Sequence, residues 1–257
     1  MVNKQKSLII TNIENGMQQI VFNRPEKKNA FISQMYKDII KILNESANND
    51  AVTTVVITGN GDFYSSGNDF LSYTKNKNIN ADNEINIIQQ FVESLILYPK
   101  LLIAVVNGPA IGIAATTLAL FDIVYATNTA YFMTPFCKLG LSPEGCSTYT
   151  FPRIFGPSKA GEILYFGEKL SAKEALRFGF VSKIYKSNTA NEIWTYLKNI
   201  SSFSKESLII TKRLLTQWNK NPLIEVNKQE LIELKQLFNN PNSIDHVMKY
   251  IIKKSKL

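Results

Sequence analysis

Short apolar runs separated by longer stretches with helical spacing organise the first half of the chain. Strand-like runs fall at Leu8 to Ile13, Gln18 to Phe22, Val52 to Thr58, Leu101 to Val106 and Ile123 to Ala126. Between them, Ser33 to Asn48 sets Met35, Ile39, Ile42, Leu43 and Ala47 on one helical face, and Glu84 to Leu97 reads as a second helix. Strands alternating with helices predict α/β layering around a largely parallel sheet that the helices cover. The stretch Ser72 to Asn83 is polar, rich in Asn and Lys and without periodicity. It is expected to be a mobile loop, in a position to lie over a ligand.

After Gly156 the pattern turns almost purely helical, over Pro157 to Phe166, Ala172 to Phe178, Ala190 to Ile200, Glu206 to Trp218, Ile224 to Phe238 and Ser243 to Ile252. Leu208, Thr211, Leu215 and Trp218 recur at helical spacing, as do Val247, Met248, Ile251 and Ile252. These faces predict a helical C-terminal region that packs on the sheet or on neighbouring subunits. The expected organisation is a core domain over residues 1–200 followed by a helical region over 201–257. A chain of 257 residues can bury a sizeable core.

Composition narrows the chemistry. There is no run of 18 apolar residues, so no membrane span is expected, and the first residues lack the features of a secretory signal. The chain is expected to stay inside the cell. Cys137 and Cys146 are too few for a disulfide framework and have no metal-ligand spacing with the single histidine, His246, so no metal site is expected. The formal net charge of +8 suits a polyanionic partner, but the basic residues are scattered rather than striped. That leaves small phosphorylated ligands open and gives no support to nucleic acid. Ser255, Lys256 and Leu257 end the chain as a tripeptide peroxisomal address. They predict residence in the peroxisomal matrix and an import receptor as partner.

Four segments are candidates for chemistry. TGNGDFYSSGNDF, Thr58 to Phe70, follows a strand and has the glycines and small serines needed to present bare backbone N–H groups. The same composition suits a polar strand-exit loop with Asp69 as a cap. NGPAIGIAATTLAL, Asn107 to Leu120, also follows an apolar strand, and its helix N-terminus offers unpaired donors to a developing oxyanion. Small residues that let a helix sit close to a sheet would look the same. LSPEGCS, Leu141 to Ser147, holds Glu144 in a turn that normally faces water. Its aromatic neighbourhood, Phe132, Phe136, Tyr149 and Phe151, predicts instead a carboxyl with a raised pKa suited to proton transfer. NRPEKKNAF, Asn23 to Phe31, is a turn whose Arg24, Lys27 and Lys28 could meet phosphates and whose backbone near Ala30 could meet a nucleotide base. Lysines on a turn are also simply solvated. His246 has only Asp245 beside it, which argues against a Ser-His-Asp system, and Cys146 reads as a packing residue.

In this order and spacing the segments resemble the crotonase (enoyl-CoA hydratase/isomerase) superfamily, from about Ser7 to the C-terminus. NRPEKKNA, FYSSGND, NGPAIG and KLSAKEALRFGFV carry the resemblance, and SSGNDF, LGLSPEGCSTYTFPRIFG and the terminal SKL are most like its peroxisomal Δ3,Δ2-enoyl-CoA isomerases. The resemblance implies a spiral of ββα units with a helical C-terminal region, and an acyl-CoA substrate without a separate cofactor. It implies that the backbone N–H groups of Asn68 and Ile113 bind the thioester oxygen, with side-chain identity at those positions of little account. Glu144 would carry the proton. Ser66, Gly67, Asn68, Asp69 and Phe70 would line the substrate, with Lys27, Lys28 and Ala30 at the CoA nucleotide. The two glutamates of the hydratases correspond here to Thr116 and Phe136, which favours isomerisation of a 3-enoyl-CoA in fatty-acid β-oxidation over hydration. A hydratase and a non-catalytic acyl-CoA-binding module are the alternatives. A homotrimer or hexamer is expected, and the first strand lies too near the start for the additional acyl-CoA-binding domain found in some relatives.

Overall fold

The computed structural model describes residues 7–69, 81–187, 190–200, 203–240, 242–243, 246–247 and 249. Its main sheet has the order β1 (Ile9–Glu14), β2 (Met17–Phe22), β3 (Thr54–Gly59), β4 (Leu101–Val106), β6 (Ile123–Thr127), β9 (Lys183–Tyr185). The β1–β2 hairpin is antiparallel and every later pairing is parallel. A second sheet joins β5 (Ala110–Ile111), β7 (Tyr131–Met133) and β8 (Leu170–Ser171), parallel and then antiparallel.

The sheet separates two apolar layers through the period-2 alternation of its strands. Ile20, Val55, Ile57, Leu102, Ala104 and Val106 face the larger core, while Val56, Ile103 and Val105 face a smaller one with Ile193, Leu197 and Ile200. The latter three belong to α7 (Ala190–Ile200). The larger core is covered by α1 (Ser33–Ala47) and α2 (Ala81–Leu97). On α1, Met35, Tyr36, Ile39 and Leu43 form the buried stripe that its spacing demands, with Ile42 and Ala47 at its partly buried margin. Each such apolar side chain contributes about 1.5–3 kcal/mol on burial. Ser46 enters that stripe because its hydroxyl meets the Tyr98 hydroxyl at 2.8 Å, and the buried Lys100 ammonium caps the helix end by donating to Ser46 O and Asn49 O.

The remaining helices are α3 (Ile113–Thr116), α4 (Ser147–Phe155), α5 (Pro157–Phe166), α6 (Ala172–Arg177), α8 (Lys205–Thr216) and α9 (Lys220–Phe238). Position 242–243, 246–247 and 249 are also helical. The α/β layering and helical C-terminal region expected from the sequence are present. Leu231, Leu234 and Val247 of that region join the larger core, and the buried Lys212–Asp122 ion pair at 2.7 Å ties α8 to the sheet.

Three sequence expectations need correction. Helix α4 was not anticipated, since Pro152 within it removes a backbone donor and argues against a helix. The region beyond Gly156 is not purely helical, because β8 and β9 complete the two sheets with strands too short to show a period. Of the expected loop at 72–83, residues 81–83 form the first turn of α2, and 72–80 lie outside the described residues. Phe70, Met248, Ile251, Ile252 and the terminal Ser255, Lys256 and Leu257 lie outside them too.

Candidate active site

Two strand-exit loops meet beyond the C-terminal ends of β3 and β4. The first, from Gly59 to Asp69, is held by two asparagines. Asn107 accepts from Gly59 N and donates to Gly61 O, while Asn29 donates to Asn60 O and Phe63 O. Backbone bridges then bind it to the second loop, with Ile111 N donating to Ser65 O and Tyr64 N to Pro109 O. The loops touch at Gly67, whose φ of +81° suits glycine, and a Cβ there would lie 2.6 Å from Ile111 O and 3.6 Å from Gly112 Cα. This contact sets Asn68 beside the start of α3.

The backbone N–H groups of Asn68 and Ile113 donate to no acceptor among the described residues. At Asn68 the neighbouring bridge bonds run from Phe31 N to Gly67 O and from Asp69 N to Phe31 O, so the N–H between them is passed over. Ile113 is the first residue of α3, where a helix has no internal acceptor to offer. Gly112 precedes it, its N–H bound to Met133 O. Both N–H groups, the two read from the sequence as candidate donors, are thus unclaimed among the described residues.

Glu144 is 3% exposed, and burial sends its carboxyl toward the neutral form. Desolvation, followed by the charge of Glu230, pushes its pKa up to about 8. Its Oε1 accepts from Asn68 Nδ2 at 3.0 Å, and the Tyr36 hydroxyl donates to Asn68 Oδ1, fixing which face of the amide Glu144 meets. Its Oε2 is buried without a partner among the described residues. The carboxyl expected from the aromatic neighbourhood is thus in place. The expectation that the side chain at position 68 matters little is corrected: the amide of Asn68 orients Glu144.

The turn that carries Glu144 is tight. Gly145 has φ +70° and abuts Thr116, whose Oγ1 would be 2.5 Å from an added Cβ, and Cys146 follows in the left-handed region with φ +62°. Thr116 and Phe136, the positions matched to hydratase glutamates, both border this segment. Thr116 Oγ1 donates to Ile113 O, and Phe136 O accepts from Leu141 N. Neither side chain can give up or take up a proton as a general acid or base near neutral pH.

Glu230 of α9 was missed by the sequence reading. It is buried, and its carboxylate accepts from Cys146 N at 2.7 Å, Thr148 N at 2.8 Å and Thr148 Oγ1 at 2.6 Å. Desolvation raises its pKa to about 7 against the lowering effect of these donors. A signal existed, since Asn227, Glu230, Leu231 and Leu234 form the buried stripe of α9 and a glutamate on such a stripe needs donors. Cys146 is inert packing: burial and Glu230 push its thiol pKa up, and its Sγ lies 3.3 Å from Leu223 O. His246 is exposed and bonded to Asn242 O, and its side chain packs at Gly140.

The Asn23 to Phe31 turn packs on the Asn68 loop through Ser66 N, which donates to Lys28 O. Lys27 and Lys28 are exposed there, with Lys28 Nζ 5.1 Å from the Phe63 ring centre. Ala30 is buried, its N–H given to Lys27 O and its carbonyl to Arg24. Arg24 itself is corrected as a phosphate candidate, because its guanidinium pairs with Asp69 at 2.7 Å with both side chains largely buried.

Residues 12–255 match the enoyl-CoA hydratase/isomerase family. The chain is 43% identical over 258 residues to enoyl-CoA delta isomerase 2 of Rattus norvegicus, covering 99% of this chain and 66% of that protein. It is 45% identical over 231 residues to enoyl-CoA delta isomerase 3, peroxisomal, of Mus musculus, covering 88% and 72%. The crystal structure of an enoyl-CoA hydratase/isomerase from Pseudoalteromonas atlantica T6c superposes with a TM-score of 0.88 at 26% identity, covering 96% and 98%. The chain thus spans about two thirds of the length of the rat relative.

Proposed function

Because the chain belongs to the enoyl-CoA hydratase/isomerase family, we propose that it moves the double bond of a 3-enoyl-CoA, cis or trans, to the trans-2 position. The observation that carries this reading is the buried carboxyl of Glu144, whose Oε2 has no partner among the described residues, together with two N–H groups that none of those residues claims. The thioester oxygen accepts from Asn68 N–H and Ile113 N–H, which stabilise the negative charge that develops there. Ionised Glu144 removes a proton from C2, the electrons delocalise as a dienolate onto that oxygen, and the same carboxyl returns the proton at C4. One group suffices because the proton leaves and re-enters the same substrate. No separate cofactor enters the scheme, since CoA is part of the substrate.

Hydration would call for a second acid or base to activate water, and Thr116 and Phe136 supply neither. Lys27, Lys28 and Ala30 are assigned to the CoA nucleotide, and Ser66, Gly67, Asp69 and Phe70 to the substrate lining, by resemblance. A role in β-oxidation of unsaturated fatty acids in the peroxisomal matrix, with an import receptor as partner, is supported by the likeness to enoyl-CoA delta isomerase 3, peroxisomal, of Mus musculus. Assembly as a homotrimer or hexamer is supported by the apolar face of α8 and the residues after it, where Leu215 is 72% and Trp218 79% exposed in one chain.

The test is a 3-enoyl-CoA assay that follows formation of the 2-enoyl thioester, comparing the wild type with Glu144→Gln. Turnover by the wild type, lost in the variant while CoA thioester binding persists, supports the assignment. Undiminished turnover by the variant rules out Glu144 as the proton carrier. Consumption of a 2-enoyl-CoA in water would select the hydratase, and tight binding with no turnover the non-catalytic module.

A further inference from the structure

We infer that Glu230 is a positioning residue for Glu144: from α9 it gathers the turn that carries Glu144 and places a second negative charge beside it. This rests on the reading of Glu144 as the proton carrier. The three donors held by Glu230 all come from Cys146 and Thr148, immediately after the Glu144–Gly145 step. Cys146 is in the left-handed region and Ser147 begins α4, so the N–H groups of Cys146 and Thr148 have no helical acceptor of their own. Without Glu230 the buried Cys146 N–H would be unpaired, and the Thr148 donors would lose the acceptor that ties the turn to α9. Asn68 holds the Glu144 carboxyl from the front, and Glu230 holds its backbone from behind.

The electrostatic consequence follows from the order of ionisation. Glu230 has three donors and Glu144 has one, so Glu230 ionises first, and its charge then raises the pKa of Glu144. The other titratable groups on the packed elements are distant or neutral in this exchange. Cys146 stays a thiol, Tyr36 acts through Asn68, and Lys235 is paired with Asp82 on the α9–α2 seam. Among the described residues, the charge of Glu230 is the only one that exerts a resolved pull on Glu144. Burial raises the Glu144 carboxyl most, and the helical C-terminal region adds to that rise through Glu230.

Glu230→Gln in the full chain removes the charge while keeping an oxygen acceptor. The acidic limb of kcat/KM for a 3-enoyl-CoA should move to lower pH by about one unit. The KM for the thioester should change less than about twofold, because no Glu230 atom is assigned to substrate. Glu230→Asp, which restores the charge on a shorter arm, should return the limb toward the wild type. A Gln variant that loses stability and kcat while its limb stays at the wild-type pH overturns the inference. If Glu230→Gln does not fold, wild-type carboxyl titration by difference infrared spectroscopy decides the question. It should show two buried carboxyls, with the later one absent from Glu144→Gln. A Glu144 that ionises before Glu230 refutes the proposed order. Failure of the underlying reading is separate, since it appears as retained turnover in Glu144→Gln.

Discussion

Replacing Glu144 by Gln should change how stability depends on pH as well as remove activity. In the folded chain the carboxyl holds its proton up to about pH 8, against an ordinary value of 4.5. The folded state therefore binds more protons than the unfolded chain between these values, and stability falls as pH rises through that window. At 1.36 kcal/mol per unit, the penalty from this residue is about 2 kcal/mol at pH 6 and about 4 kcal/mol at pH 8. Gln keeps the bond from Asn68 Nδ2 through its own oxygen, but puts an amide donor where Oε2 has no partner. That costs about 1–3 kcal/mol at every pH. The variant should thus gain about 2 kcal/mol relative to the wild type between pH 6 and pH 8, and be the more stable protein at the upper end. Urea unfolding of both proteins at the two pH values measures this as a difference of differences, in which the Glu230 contribution cancels. A stability gap that stays constant across the window would refute the reasoning, because Glu144 would then titrate alike in the folded and unfolded chains.

Other outcomes test the neighbouring parts of the site. Turnover of a 3-enoyl-CoA by the wild type should rise with pH to an apparent pKa of about 8, since only ionised Glu144 can accept the C2 proton; a profile flat from about pH 6 to 9 would contradict this. Asn68→Ala keeps the backbone donor but removes the amide that holds Glu144, so kcat should fall about tenfold and the acidic limb should move to higher pH. Gly67→Ala forces a Cβ against Ile111 O at a φ of +81°, which should cost about 1–3 kcal/mol and separate the two donors. Its mark would be loss of kcat with thermal stability only partly reduced, read by calorimetry beside the turnover assay. Arg24→Met removes the guanidinium paired with the partly buried Asp69 and should destabilise the chain by about 1–3 kcal/mol, measured by urea unfolding.

Much of this was legible along the chain because it depends on local periodicity. The apolar runs that became β2, β3, β4 and β6, and the stripe of α1, follow directly from residue spacing. The glycine-rich exits that became the two loops meeting at Gly67 were legible for the same reason, as was the single carboxyl in an aromatic segment. Strands of two or three residues, such as β5, β8 and β9, are too short for a period and exist only because a partner strand satisfies them. Helix α4 is of the same kind: its sequence contains a proline, and the acceptor for its first donors arrives from Glu230, 82 residues later than Thr148.

The sequence by itself determined that a carboxyl would sit in apolar surroundings and that two loops would have N–H groups to spare. Tertiary structure decided what Glu144 is, since its partner Asn68 lies 76 residues away, folding buries its carboxyl, and the charge that adds to the rise in its pKa is delivered by α9. Hydrophobic period and turn chemistry act over a few residues and can be read in order. The ionisation of a buried group depends on every charge and donor within a few ångströms, and only folding determines which those are.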